Sequence, residues 1–311
     1  MAAMNPVDTY LNAAQRENTE RSYRNALRHF EADWGGLLPA SSETVARYLA
    51  EHAELLALST LQQRIAALAG WHKAHGFVDP TKARIVRQVL KGIRTLHPAR
   101  QKQARPIQLE QVGQIVAWLE NAATAAAQAG QRPAQLRHTR DRALLLLGFW
   151  RGFRGDELAR LRVDHVDAVA NEGMTCFLAR SKGDRQARGT TFKAPALRTL
   201  CPVAAYLDWI ALSGLTDGAV FRSVDRWGHL GAAGLHINSL VPLLRSLFHA
   251  AGIPLAQQYS SHSLRRGFAG WAASSGWDLK TLMEYVGWRD VHSAMRYLDA
   301  SDPFAGMRAQ P

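Results

Sequence analysis

Cysteine is scarce. The 311-residue chain holds two, Cys176 and Cys201, both in apolar contexts and neither in a CxxC or CxxxH spacing, so no zinc motif or disulfide framework is indicated. Long hydrophobic runs are missing too. The longest, Ala143 to Trp150 (ALLLLGFW), falls far short of the ~20 apolar residues that span a bilayer. The opening stretch MAAMNPVDTY shows no basic-then-apolar signal pattern, and the expectation is a cytoplasmic protein that nothing exports or anchors. The chain contains no GxxxxGK[ST] loop, no paired-carboxylate metal cluster, no internal repeat, and no low-complexity segment beyond the alanine-rich patch near Ala122 to Ala129.

Acidic residues are few relative to basic ones: 26 Asp and Glu stand against 38 Lys and Arg, a formal net charge of +12 with a pI near 10.2. This balance points to a polyanionic partner, nucleic acid first, although many soluble proteins are basic. With 47% hydrophobic and 21% charged residues the chain can bury a real core, and its length suggests two domains at roughly 100–200 residues each.

Between Lys82 and Arg105 the sequence KARIVRQVLKGIRTLHPARQKQAR carries eight basic residues and no acidic one. Its first half keeps a helical period through Val86, Val89, Leu90 and Ile93; Pro98 to Pro106 has none and reads as an exposed basic linker. The expected division is therefore residues 1–97, a linker 98–106, and residues 107–311. Through Arg105 there are 15 basic and 9 acidic residues, and beyond it 23 and 17, so each part carries +6 and both can meet the same polyanion.

The first part reads as wholly helical: Asn18 to Trp34, Ser42 to Ala53, and Thr60 to His75. The last of these should be capped by Ser59 with Gln62, should bury Leu61, Ile65, Leu68 and Trp71, and should stop at Gly76. Asp79-Pro80 opens a fourth helix. The second part begins with helices around Leu109 to Ala123 and Arg140 to Trp150. Between Met174 and Lys193 the period changes to alternation around a Ser-Lys-Gly-Asp turn, a small β-hairpin; helices resume from Val203, and Leu298 to Pro311 forms a short tail. The fold class is mainly α: a helical N-terminal domain, then a mixed, mostly helical domain with a small antiparallel sheet.

Four separated signals carry chemistry. Arg154 lies in RGFRGDEL with Glu157 three positions on, a spacing that also describes an ordinary surface ion pair. Lys182 sits at the hairpin tip, where a lysine is commonly just solvated. His262 and Arg265, in HSLRR, share one helical face. Tyr297 ends YVGWRDVHSAMRY nine residues after Trp288, and a tyrosine in an amphipathic helix is ordinarily core.

Taken in order, GFRGDEL at Arg154, SKG at Lys182, HSLRR, VGW at Trp288 and Tyr297 resemble the tyrosine recombinase (phage integrase) family, most closely its Cre-like members. The resemblance covers the second domain and, more loosely, the first, where STLQQR at Ser59 to Arg64 is similar to a DNA-contacting helix. Most members carry histidine where this chain has Trp288, and tryptophan weighs against the chromosome-dimer resolvases. The resemblance implies a SAM-like core-binding domain followed by a catalytic domain that together clamp duplex DNA.

Phosphodiester chemistry suits this set. Arg154 and Arg265 can clamp the phosphate oxygens as charge builds, without a metal ion. Tyr297, whose free pKa would be near 10, would be the nucleophile. His262 would accept its proton or orient it, Trp288 would donate its indole N–H and wall out water, and Glu157 would orient the pocket. By resemblance, Lys182 is the general acid, the product is a 3′-phosphotyrosyl link with a free 5′-hydroxyl, and no cofactor or metal is needed. Arg21, Arg24, Arg64, Lys91 and Arg100 are candidates for phosphate contacts; Thr60, Gln63, Arg64 and Asn238 for base edges. The family's recombinases act as four protomers on two DNA sites and pass a C-terminal segment to a neighbour, for which Phe304 and Met307 would be the apolar anchors. Two other readings stay open: a catalytically silent DNA-binding accessory protein or repressor, and a type IB topoisomerase.

Overall fold

The computed structural model describes residues 17–98, 103–179 and 188–298, and the chain divides into two compact units between Lys102 and Gln103. The first unit is all helical: α1 (Glu17–Arg28), α2 (Ser42–Glu51), α3 (Leu58–Ala74) and α4 (Arg84–Leu96). Helix α1 packs on α3 and α2 on α4 around Phe30, Val45, Tyr48, Leu49, Leu61, Leu68, Val86 and Ile93, all buried.

Three expectations here are corrected. Past Arg28 the first helix widens into a π turn, His29–Asp33, in which Trp34 N–H reaches back to His29 O; this keeps Phe30 in the core and lays Trp34 against Tyr48. Helix α3 starts at Leu58, not after a Ser59 cap: Ala57 O takes the first N–H bonds, and Leu58 packs on the core, drawing the chain into helix early. Asp79 does cap Thr81 N–H, at 3.0 Å, but Pro80–Lys82 is a single 3-10 turn, and extended Ala83 separates it from α4.

The second unit runs α5 (Leu109–Gln128), α6 (Arg132–Trp150), α7 (Gly155–Ala159), β1 (Val166–Val169), β2 (Gly173–Leu178), β3 (Thr190–Pro195), α8 (Pro202–Ser213), β4 (Arg222–Val224), β5 (Leu230–Gly234), α9 (Ile237–Ala250), α10 (Ser261–Ser274), α11 (Leu279–Val286) and α12 (Val291–Met295). Helices α5 and α6 are longer than their apolar periods suggest. The alanine patch carries no pattern yet favours helix strongly, and the first turns of α6 hold one large apolar residue, buried Leu136. The apolar half of α6, Ala143 to Trp150, is buried along its whole length against α5, α8 and α10. The hairpin is joined by β1 into an antiparallel sheet in the order β1-β2-β3, with Val166 and Phe192 both opposite Cys176. A second, two-stranded sheet pairs β4 with β5. Among the described residues no helix is long and apolar enough to cross a membrane, and no group of three or more His, Cys, Asp or Glu side chains is placed to hold a metal ion.

The segment entering α5 crosses α10 backbone to backbone. Ile107 N–H donates to Ser263 O at 3.2 Å, and a Cβ on Gly267 would lie 2.1 Å from Ile107 O. Backbone cannot step aside as a side chain can, so Gly267→Ala should lower stability by about 1–3 kcal/mol in thermal unfolding. Gly270→Ala, on the same helix with nothing within 4 Å of its would-be Cβ, should cost nothing.

Candidate active site

Helix α6 ends at Trp150 with Arg151 as its C-cap, and Gly152-Phe153 carries the chain to Arg154, the residue preceding the single-turn helix α7. Phe153 is buried edge-on against Phe192 of β3, fixing this turn. Glu157 reaches back to Arg154 twice: Oε2 accepts the Arg154 backbone N–H at 2.8 Å, and Oε1 accepts Nη1 at 2.7 Å. The Arg–Glu spacing is thus no surface pair, for Glu157 is 3% exposed. Its carboxylate closes the helix N-terminus and holds the guanidinium together.

Arg265 lies beside this pair and is fully buried. Its Nη1 donates to Gly152 O at 2.6 Å and stands 3.7 Å from Glu157 Oε2, and Nη2 donates to Val286 O at 3.3 Å. Burial first, and the charge of Arg154 second, push the Arg265 pKa down to about 9, with Glu157 opposing, so the group is still a cation at neutral pH. Its guanidinium carbon sits 5.0 Å from the Trp288 ring centre and 5.4 Å from that of Tyr297.

The capping of α10 sets the position of His262. Ser260 Oγ accepts His262 N–H, and Ser263 Oγ accepts Ser260 N–H, which fixes the first turn and places His262 on the exposed side while Arg265, one turn on, enters the core. Tyr297 Oη lies 3.1 Å from His262 Nδ1, and the tyrosine donates when the imidazole carries its proton on Nε2. Trp288 follows Gly287, whose left-handed backbone (φ 74) ends α11; Trp288 N–H returns to Met283 O at 2.9 Å and its ring tilts against Tyr297 at 5.2 Å. Arg266 donates to Arg296 O at 2.7 Å, securing the backbone next to Tyr297.

The structure therefore brings together Arg154, Glu157, His262, Arg265, Trp288 and Tyr297. Lys182 and Arg100 lie outside the described residues, as do Phe304 and Met307. Arg21, Arg24, Thr60, Gln63, Arg64 and Lys91 all fall in the first unit. Arg21 and Lys91 are exposed, and Arg24 pairs with Glu20 at 2.6 Å. Gln63 is held by Ser22, with Nε2 donating to Oγ at 2.7 Å, and Arg64 Nη1 donates to Tyr48 Oη at 2.8 Å. Asn238 occupies the first turn of α9, its N–H bonded to His236 Nδ1. Gly152 O, Val286 O, Arg151 and Arg266 also belong to the neighbourhood. Backbone acceptors leave no trace in a sequence, whereas Arg151 and Arg266 stand inside the motifs RGFRGDEL and HSLRR.

The phage integrase family model matches residues 107–303. The chain belongs to this family of tyrosine recombinases. Among its relatives, an integrase/recombinase xerD homolog of Selenomonas ruminantium is 26% identical over 307 residues, covering 94% of this chain and 86% of the relative. Recombinase cre of Escherichia phage P1 is 25% identical, covering 86% and 78%, and tyrosine recombinase XerC of Mycobacterium tuberculosis is 29% identical, covering 95% and 93%. In fold, this recombinase is similar to the Tn1549 transposon integrase in complex with transposon right end DNA (TM-score 0.64, 14% identity, covering 94% and 92%).

Proposed function

We propose that this tyrosine recombinase cuts and rejoins duplex DNA at a specific site through a 3′-phosphotyrosyl intermediate, with Tyr297 as nucleophile. The observation that carries this is the contact of Tyr297 Oη with His262 Nδ1 at 3.1 Å beside the Arg154–Glu157–Arg265 cluster. The phenol proton passes to His262 as Oη attacks phosphorus. The bond from phosphorus to the 5′ oxygen breaks, and that oxygen takes a proton from Lys182. Attack by the 5′-hydroxyl of a partner strand reverses the step and releases Tyr297. Arg265 Nε and Trp288 Nε1 are buried donors without a hydrogen-bond partner among the described residues. Leaving each unpaired costs ~1–3 kcal/mol, which a phosphate oxygen would recover. No cofactor enters the scheme.

Incubation with a nicked suicide duplex, on which religation is prevented, should yield a covalent protein–DNA adduct that survives denaturation. The duplex is found by selecting bound DNA from a random pool. Absence of the adduct would favour a silent DNA-binding protein, and relaxation of supercoiled plasmid lacking the site would favour a topoisomerase.

In this proposal the first unit is the core-binding domain and both basic units contact duplex DNA in the cytoplasm. With about 6–10 phosphate contacts, binding should weaken by roughly 10³–10⁵ between 50 and 200 mM salt; titration by gel shift measures the slope. Four protomers would act on two sites. An aromatic pocket of about 640 Å³, lined by Trp150, Met174, Trp271, Trp277 and Tyr285 and holding none of the six clustered residues, offers an apolar seat for a neighbour's Phe304 and Met307. Deleting residues 302–311 should weaken synapsis and leave single-site binding intact. Unchanged recombination by the truncated chain would reject this docking.

A further inference from the structure

Arg151 is a cation in the wrong place for its chemistry to be accidental. It is 2% exposed at the end of α6, burial pushes its pKa down, and its Nε has no hydrogen-bond partner among the described residues. An apolar side chain of the same length would fill that volume without the desolvation cost.

What the charge contacts is specific. Nη2 donates to Tyr285 O at 2.5 Å, while Arg265 Nη2 donates to Val286 O, so two arginines hold successive carbonyls in the last turn of α11. These groups lack helical partners and carry the negative end of the helix dipole, which suits a guanidinium. Tyr285 answers in the opposite direction, its hydroxyl donating to Trp150 O at 2.9 Å. The Arg151 guanidinium also lies 4.0 Å from the Tyr285 ring centre and 4.9 Å from that of Phe192. Two bonds of opposite sense and a stacked cation fix where α11 ends, and Trp288 follows two residues after Val286 through Gly287.

We infer that Arg151 is a positioning residue for the phosphate site, acting on Trp288 through the backbone of α11. The inference rests on Trp288 belonging to that site. Among the described residues no hydrogen bond or ion pair joins Arg151 to the six clustered residues, although its charge is felt by Glu157 and Arg265, so it should set the rate of cleavage and leave DNA affinity alone.

The test is a double-mutant cycle in the full chain, using Arg151→Met, Trp288→Ala and the double variant. The readouts are single-turnover cleavage of the nicked duplex carrying the selected site, affinity for the intact duplex, and melting temperature. Arg151→Met should cleave about 10-fold or more slowly, within the range of coupling that neighbouring residues show, with affinity changed by less than about threefold. In the Trp288→Ala background the same substitution should cost less than about threefold. Equal losses in both backgrounds, or parental cleavage by a folded Arg151→Met chain, would overturn the inference. Tyr285→Phe supplies a gentler variant should Arg151→Met fold poorly: it removes the bond to Trp150 O, keeps the stacked ring, and should show a smaller loss with the same dependence on Trp288. Parental cleavage by Trp288→Ala alone would instead remove Trp288 from the phosphate site.

Discussion

Tyr297→Phe should bind its DNA site as the parent does and form no covalent adduct at all. The substitution removes one oxygen. Its ring contacts, 5.2 Å to Trp288 and 5.4 Å to the Arg265 guanidinium, do not depend on the hydroxyl. The lost interaction is the 3.1 Å bond to His262 Nδ1 near the surface, worth about 0.5–1.5 kcal/mol, so melting temperature should hardly move. The chemical loss is of another order. A phosphotyrosyl bond needs a nucleophilic oxygen, and no neighbouring group supplies one at that point on the ring, so the adduct should disappear rather than diminish. Gel shift on the selected site and denaturing electrophoresis of the nicked duplex measure the two quantities separately. A Tyr297→Phe chain that still attached covalently would remove Tyr297 from the nucleophile's role.

Most of the helical fold was legible because apolar side chains recur at helical spacing and one face must be buried. What escaped had a physical reason in each case. Strand β1 has four residues and is held by pairing with β2, and β5 reads Leu-Gly-Ala-Ala-Gly, a run with little preference for strand that its partner β4 supplies from outside. Ser59 with Gln62 satisfies the local pattern of a cap, yet packing of half-buried Leu58 on the core moved the start of α3 forward. At the candidate site the order of six residues was legible across more than a hundred positions. Their energetics were not: Arg154 and Glu157 read equally as a solvated pair, and only burial shows that one carboxylate serves two guanidiniums. Arg64 and Gln63 likewise read as free to meet bases, whereas the fold ties their polar ends to Tyr48 and Ser22.

Arg265→Ala should lose cleavage by at least about 10²–10³-fold, the cost of deleting one preorganised donor at a developing negative charge. It should lose stability as well. The side chain is fully buried, and its removal leaves Gly152 O and Val286 O without their donors, at about 1–3 kcal/mol for each acceptor that water does not reach. Arg154→Ala separates the two effects. Arg154 keeps a 20% exposed side chain whose ion pair is with Glu157, and Glu157 would retain Arg265 at 3.7 Å, so this variant should lose comparable activity with a smaller fall in melting temperature. Chemical rescue tests the cause of the larger defect. The slot vacated in Arg265→Ala keeps the two carbonyls and the Glu157 carboxylate that held the fork, so added guanidinium should restore part of the adduct, whereas Tyr297→Phe should gain nothing from it. An Arg265→Ala chain that melts early but cleaves at the parental rate would make this arginine a structural strut and leave Arg154 to hold the phosphate alone.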